Sequence, residues 1–282
     1  MDLLYLVRQE MQRRGYSNQT IKTYLFCLKK FLFFMKDKED LRTITRYDVK
    51  RYLLWLSDHE KAKSTLNVHL QAIKFALEEI LNKRMIFVKL PYAKVPQRLP
   101  EVLSKEEVVK LFSAIDNEKH KLMIKLLYSS GLRVSELVHL RVQDFDFENN
   151  IGWVRQGKGS KDRLFIIADT LKDDLKKQIQ DKELHDFVFQ GRKEQSVHVR
   201  TIQEILKNAA KKAKLEKNVH PHTLRHSFAT HLIEEGNHMQ IVQGLLGHKS
   251  IDTTMVYVHL VRPDMLKVKS PLDSLEALEK ED

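Results

Sequence analysis

The chain has 282 residues, 49 Lys and Arg against 38 Asp and Glu for a formal charge of +11, 42% hydrophobic residues and a single cysteine. That length buries one large core or two modest ones. Cys27 alone excludes an intrachain disulfide and a cysteine-based metal site. Lys and Arg interrupt every apolar run short of the roughly 18 residues of a membrane span, and the N-terminus lacks a signal-peptide pattern, so a soluble cytoplasmic protein is expected. The charge is uneven: residues 1–100 hold 20 Lys and Arg against 10 Asp and Glu, whereas 101–282 hold 29 against 28. A phosphate backbone would be attracted to that first third and held by counterion release, largely regardless of base sequence; a solvated basic surface is the plain alternative.

In chain order, Leu3, Leu4, Val7 and Met11 trace one apolar helix face. After a Ser17-Asn18 break, Ile21, Tyr24, Leu25, Leu28, Phe31 and Leu32 trace another. Two more helices are expected near 46–57 and 64–81, giving a small four-helix bundle over 1–90. Residues 91–100 carry Pro91, Pro96 and Pro100 with no helical period, which predicts an extended linker. A capping box, Ser104 with Glu107, then opens the next helix. Ile151–Arg155 and Arg163–Ile167 predict a hairpin around the turn at 156–162, with Phe187-Val188-Phe189 a candidate third strand. Helices follow near 200–213, 222–235 and 238–246, with Gly236 as a C-cap. The fold class is mainly α with a small antiparallel β-sheet.

Four local sequences carry chemistry. They are Gly131-Leu132-Arg133-Val134-Ser135-Glu136-Leu137, Gly157-Lys158-Gly159-Ser160-Lys161-Asp162-Arg163, His222-Thr223-Leu224-Arg225-His226 and Leu245-Leu246-Gly247-His248, with Tyr257 nine positions beyond that last histidine. Cleaving a phosphodiester demands charge neutralisation, a nucleophile and a proton donor. Arg133 and Arg225 suit the first need, because a guanidinium stays charged and donates two parallel hydrogen bonds to phosphate oxygens. Lys158, in the hairpin turn, has a flexible stem able to deliver a proton, with Lys161 its nearest competitor. Gly152 and Gly157-Lys158 imitate a nucleotide-binding loop, yet Gly159 stands where Ser or Thr would ligate magnesium and a strand follows instead of a helix, so that reading is rejected. Seven of the thirteen histidines fall within 220–259, and His222 and His226 are spaced i, i+4; a zinc-protease pattern would need Glu where Thr223 stands. His222 and Arg225, at i, i+3, share a helix face.

In order and context these motifs resemble the tyrosine recombinases, specifically the Xer-like branch. The resemblance spans essentially the whole chain. It implies a SAM-like core-binding domain at 1–90 that clamps DNA, a linker at 91–100 and an α+β catalytic domain at 101–270. A tail helix at 271–282 would dock on a neighbouring protomer. It further implies that Tyr257 attacks DNA to form a 3′-phosphotyrosine link. Glu136 would support Arg133, His222 would act in proton transfer or phosphate contact, and His248 would bond a phosphate oxygen. Because each transesterification preserves the phosphoester bond energy, no cofactor, ATP or metal is expected. The implied partners are double-stranded DNA, three further protomers in a tetrameric synapse, and an activating protein or second recombinase. The implied role is chromosome dimer resolution at the nucleoid. A mobile-element integrase, a type IB topoisomerase and a non-catalytic DNA-binding protein remain open at this point.

Overall fold

The computed structural model describes residues 2–38, 40–59, 62–83, 90–94, 99–155, 162–191 and 194–247. The chain divides into two compact units, Met1–Arg98 and Leu99–Asp282.

The first unit is built from α1 (Leu3–Arg13), α2 (Asn18–Phe34), α3 (Arg46–His59) and α4 (Lys63–Phe75), the last running into a π-helical turn at Ala76–Ile80. Helix starts follow the caps: the Asp2 carboxylate accepts the Leu4 N–H at 2.9 Å, and Ser17 Oγ accepts the Thr20 N–H at 3.1 Å. Leu3, Val7 and Met11 recur every fourth residue and are buried, so α1 presents a single stripe to the core. Phe31 and Tyr52 meet edge-on inside, ring centroids 5.1 Å apart, and the Tyr52 hydroxyl lies 2.8 Å from Nδ1 of the buried His69. In the π-helical turn the Leu81 N–H reaches back five residues to the Ala76 carbonyl at 3.3 Å.

The second unit opens on the capping box expected at Ser104. Glu107 Oε2 accepts the Ser104 N–H at 2.7 Å, Ser104 Oγ accepts the Glu107 N–H at 3.2 Å, and α5 (Lys105–Ser113) follows. Next come α6 (Glu118–Ser130) and α7 (Val134–His139), then the antiparallel sheet β1 (Phe145–Asp146), β2 (Ile151–Val154) and β3 (Arg163–Ile166), in that spatial order. Gly152 pairs with Phe165, and Phe165 is fully buried. After α8 (Lys172–Ile179) and α9 (Val199–Lys212), α10 (Pro221–Glu234) packs against α6, α9 and α11 (Met239–Leu246), and α11 also lies against β3.

The third strand differs from expectation. Among the described residues it is Phe145–Asp146, while Phe187 makes only an isolated bridge to Arg141. Val188 and Phe189 are buried core residues whose backbone partners are the Leu140 carbonyl, at 2.9 Å, and the Val197 N–H, at 3.1 Å. Burial and β-pairing leave the same mark on so short an apolar run, and here burial is the cause. The expected tail helix at 271–282 lies outside the described residues.

Candidate active site

Gly131 ends α6 with φ 58°, a left-handed conformation that reverses the chain, and a Cβ there would lie 2.4 Å from the Phe228 ring. The turn carries Leu132 into the core and sets Arg133 at the N-cap of α7, with its side chain about a quarter exposed. Glu136, in the first turn of α7, reaches back. Its Oε2 accepts the Arg133 N–H at 2.7 Å and its Oε1 accepts Arg133 Nη1 at 2.6 Å. Burial pushes the Glu136 carboxyl up, but the Arg163 charge and the hydrogen bonds from Arg133 and Arg163 outweigh it, so Glu136 titrates below an ordinary glutamate.

Arg225, on α10, is 4% exposed. Its guanidinium donates to the carbonyls of Gly131 and Leu246, which ties the turn before Arg133 to the end of α11. His222 lies one turn earlier on α10 and is exposed. Loss of hydration, with the charges of His220, Arg225 and Arg133, holds its imidazole below the ordinary histidine range. That shift favours the neutral imidazole, the form able to accept a proton. His226 is driven down to about 4, by burial first and then by His222, His220 and Arg225. No group of three His, Cys, Asp or Glu side chains among the described residues is arranged to hold a metal ion.

The fold thus brings Arg133, Glu136, His222 and Arg225 to one region although up to 92 residues separate them. Lys158, His248 and Tyr257 lie outside the described residues, as does Lys161. Two features escape sequence reading. One is a cleft of about 510 Å³ beside Arg133, lined in part by His139, Arg141, Trp153 and Arg155. The other is Arg163, whose side chain is 8% exposed and whose Nη2 donates to Glu136 Oε2 at 2.5 Å. An arginine opening a strand after a polar turn reads as a solvated residue, and nothing local marks it as buried.

The phage integrase family model matches residues 101–262, and the phage integrase N-terminal SAM-like domain model matches residues 3–86. The chain is 34% identical over 281 residues to tyrosine recombinase XerD of Oceanobacillus iheyensis, covering 93% of each chain. It is 36% identical over 275 residues to tyrosine recombinase XerA of Pyrococcus furiosus, covering 95% of this chain and 93% of that one. Its fold matches that of the XerH site-specific recombinase in a post-cleavage complex with palindromic difH substrate, with a TM-score of 0.72 at 24% identity over 89% of this chain and 79% of that one. The chain belongs to the phage integrase family and is a tyrosine recombinase, a DNA strand-transfer enzyme. Within that family its relatives at these identities include Xer recombinases.

Proposed function

We propose that this recombinase cuts and rejoins duplex DNA at a specific site through a 3′-phosphotyrosine intermediate, with neither ATP nor metal, and that it resolves chromosome dimers in the manner of Xer enzymes. Tyr257 Oη attacks the scissile phosphorus while the P–O5′ bond breaks. His222, neutral at the working pH, takes the phenol proton, and Lys158 gives a proton to the departing 5′ oxygen. Arg133, Arg225 and His248 bear on the phosphate oxygens, offsetting charge that would repel the nucleophile. Rejoining is the reverse, with a 5′-hydroxyl attacking the phosphotyrosine, so the bond energy is conserved throughout. Residues 1–90 clamp the duplex, four protomers assemble on two sites at the nucleoid, and residues 271–282 dock on a neighbour.

The observation that carries this reading is the convergence of Arg133 and Arg225 on the Gly131 turn, with Glu136 on one arginine and His222 one helical turn from the other, its neutral form favoured by both charges. Near-full-length likeness to Xer recombinases supports the chromosomal role.

The test begins by selecting a site from randomised duplex DNA. A nicked duplex carrying that site is then incubated with wild-type and Tyr257→Phe protein, without metal or ATP, and run on a denaturing gel. A protein–DNA adduct with wild type alone is expected. Tight binding by both proteins with no adduct would leave a DNA-binding protein in place of a recombinase. A circular reporter with two copies of the site separates resolution, which yields two circles, from the integration expected of a mobile element.

A further inference from the structure

Arg163 opens β3, five residues after Lys158 in the chain, and meets three structures at once. Its Nη2 donates to Glu136 Oε2 at 2.5 Å, and its Nη1 donates to the Leu245 carbonyl. Its stem crosses Gly247, which has φ 62° and where a Cβ would lie 2.6 Å from Arg163 Cδ. Arg163 Nε is buried with no hydrogen-bond partner among the described residues. An arginine so far withdrawn from water loses hydration that its neighbours must offset, so its geometry is what the site retains it for.

Two consequences follow from that placement. Glu136 is shared: one guanidinium orients it and the other is oriented by it, in the line Arg163–Glu136–Arg133. Without Arg163, Glu136 Oε2 keeps the Arg133 N–H and gains room for a second donor, so the Arg133 fork can close on both carboxylate oxygens as a bidentate pair and the donors meant for phosphate are spent on Glu136. The second consequence concerns α11. Its last carbonyls have no partner within the helix and form its negative end. Arg163 takes that of Leu245 and Arg225 that of Leu246, so two arginines from separate elements fix the exit of the chain at Gly247, directly before His248.

We propose that Arg163 is a positioning residue for strand transfer, holding Arg133 free for the scissile phosphate and clamping the exit of α11 at Gly247. The proposal rests on the reading of Arg133 given above. Lysine cannot substitute, since a single ammonium does not span Glu136 and the Leu245 carbonyl as a planar fork does.

The test compares wild type with Arg163→Lys and Arg163→Met, each checked for native circular dichroism and melting. On the nicked duplex, dissociation constants within about twofold of wild type are expected, with single-turnover adduct formation slowed by about 100-fold, the size of effect that follows an ångström-scale misplacement of a catalytic group. The same rates are then measured on a duplex whose scissile phosphate is an uncharged methylphosphonate. Because that group has no anion for Arg133 to neutralise, the defect is expected to shrink to under about tenfold. Equal defects on both substrates would reduce Arg163 to a fold-holding residue, and wild-type rates in Arg163→Lys would overturn the proposal outright. Amide exchange across Gly244–Gly247, measured without DNA, stands apart from the chemistry: faster exchange in Arg163→Lys is expected, and unchanged exchange removes the clamp on α11. Failure of wild type to form any adduct would sink the tyrosine reading while leaving the exchange result to judge the clamp.

Discussion

Glu136 illustrates how much one carboxylate can organise when its surroundings are nearly dry and two guanidinium groups share it. Its folded pKa lies below the ordinary value, so its contribution to stability is fully present above about pH 4.3, the unfolded value, and is lost as pH falls through the lower folded value. Urea unfolding of wild type and Glu136→Gln at stepped pH is expected to give a stability gap that is constant from pH 7 to 5 and narrows below. A gap independent of pH down to 3 would mean that the carboxylate is not held in this way. His222 shifts in the same direction for a different reason, since lost hydration and neighbouring cations disfavour its charged form. If it takes the Tyr257 proton, single-turnover cleavage falls on the acid side only below the usual histidine range, and His222→Asn removes that limb. A limb at or above pH 6.5 in wild type would assign it to another group.

At the scale of elements, Gly131 and α10 set the geometry. Gly131→Ala forces a Cβ into the Phe228 ring and into an unfavourable left-handed backbone, and a loss of about 1–3 kcal/mol in chemical denaturation is expected, with cleavage lowered as Arg133 shifts. A variant as stable as wild type would show that the turn has slack. Much of this level is legible in the sequence. The Ser17 break and the Ser104 capping box follow from local rules in which one residue's side chain satisfies another's backbone nearby, and the β2–β3 pairing follows from two short strand-like runs on either side of a polar turn. The third strand is not, because β1 is two residues long, too short for any period to show. α10 has no amphipathic stripe, since α6, α9 and α11 cover it on several sides; its site residues stand out by type and spacing. Arg163 is illegible for a further reason: its partners lie 27 and 82 positions away, so nothing within a sequence window reveals its burial.

For the whole molecule, the excess of Lys and Arg in residues 1–100 is the property that acts at a distance. The exposed face of α2 carries Lys22 and Lys29 with the exposed Phe26 and Phe33 between and beyond them. Replacing both lysines with alanine is expected to weaken DNA binding on every sequence and to reduce the slope of log K against log salt by about 1–2, roughly one for each phosphate no longer neutralised. An unchanged slope would assign the charge to solubility alone. Each unit also has its own buried core, one around Phe31 and Tyr52 and the other around Leu126 and Phe165. Tolerance of insertions and deletions is distributed just as unevenly. Removing one residue from an α-helix turns everything beyond it by about 100°, and within α10 that would swing Arg225 off its two carbonyls. The π-helical turn at Ala76–Ile80 already holds one residue more than an α-helical turn requires. A deletion there lets the ladder close to ordinary α-helical spacing, so losing one residue from this turn is expected to cost less stability than losing one from within α10.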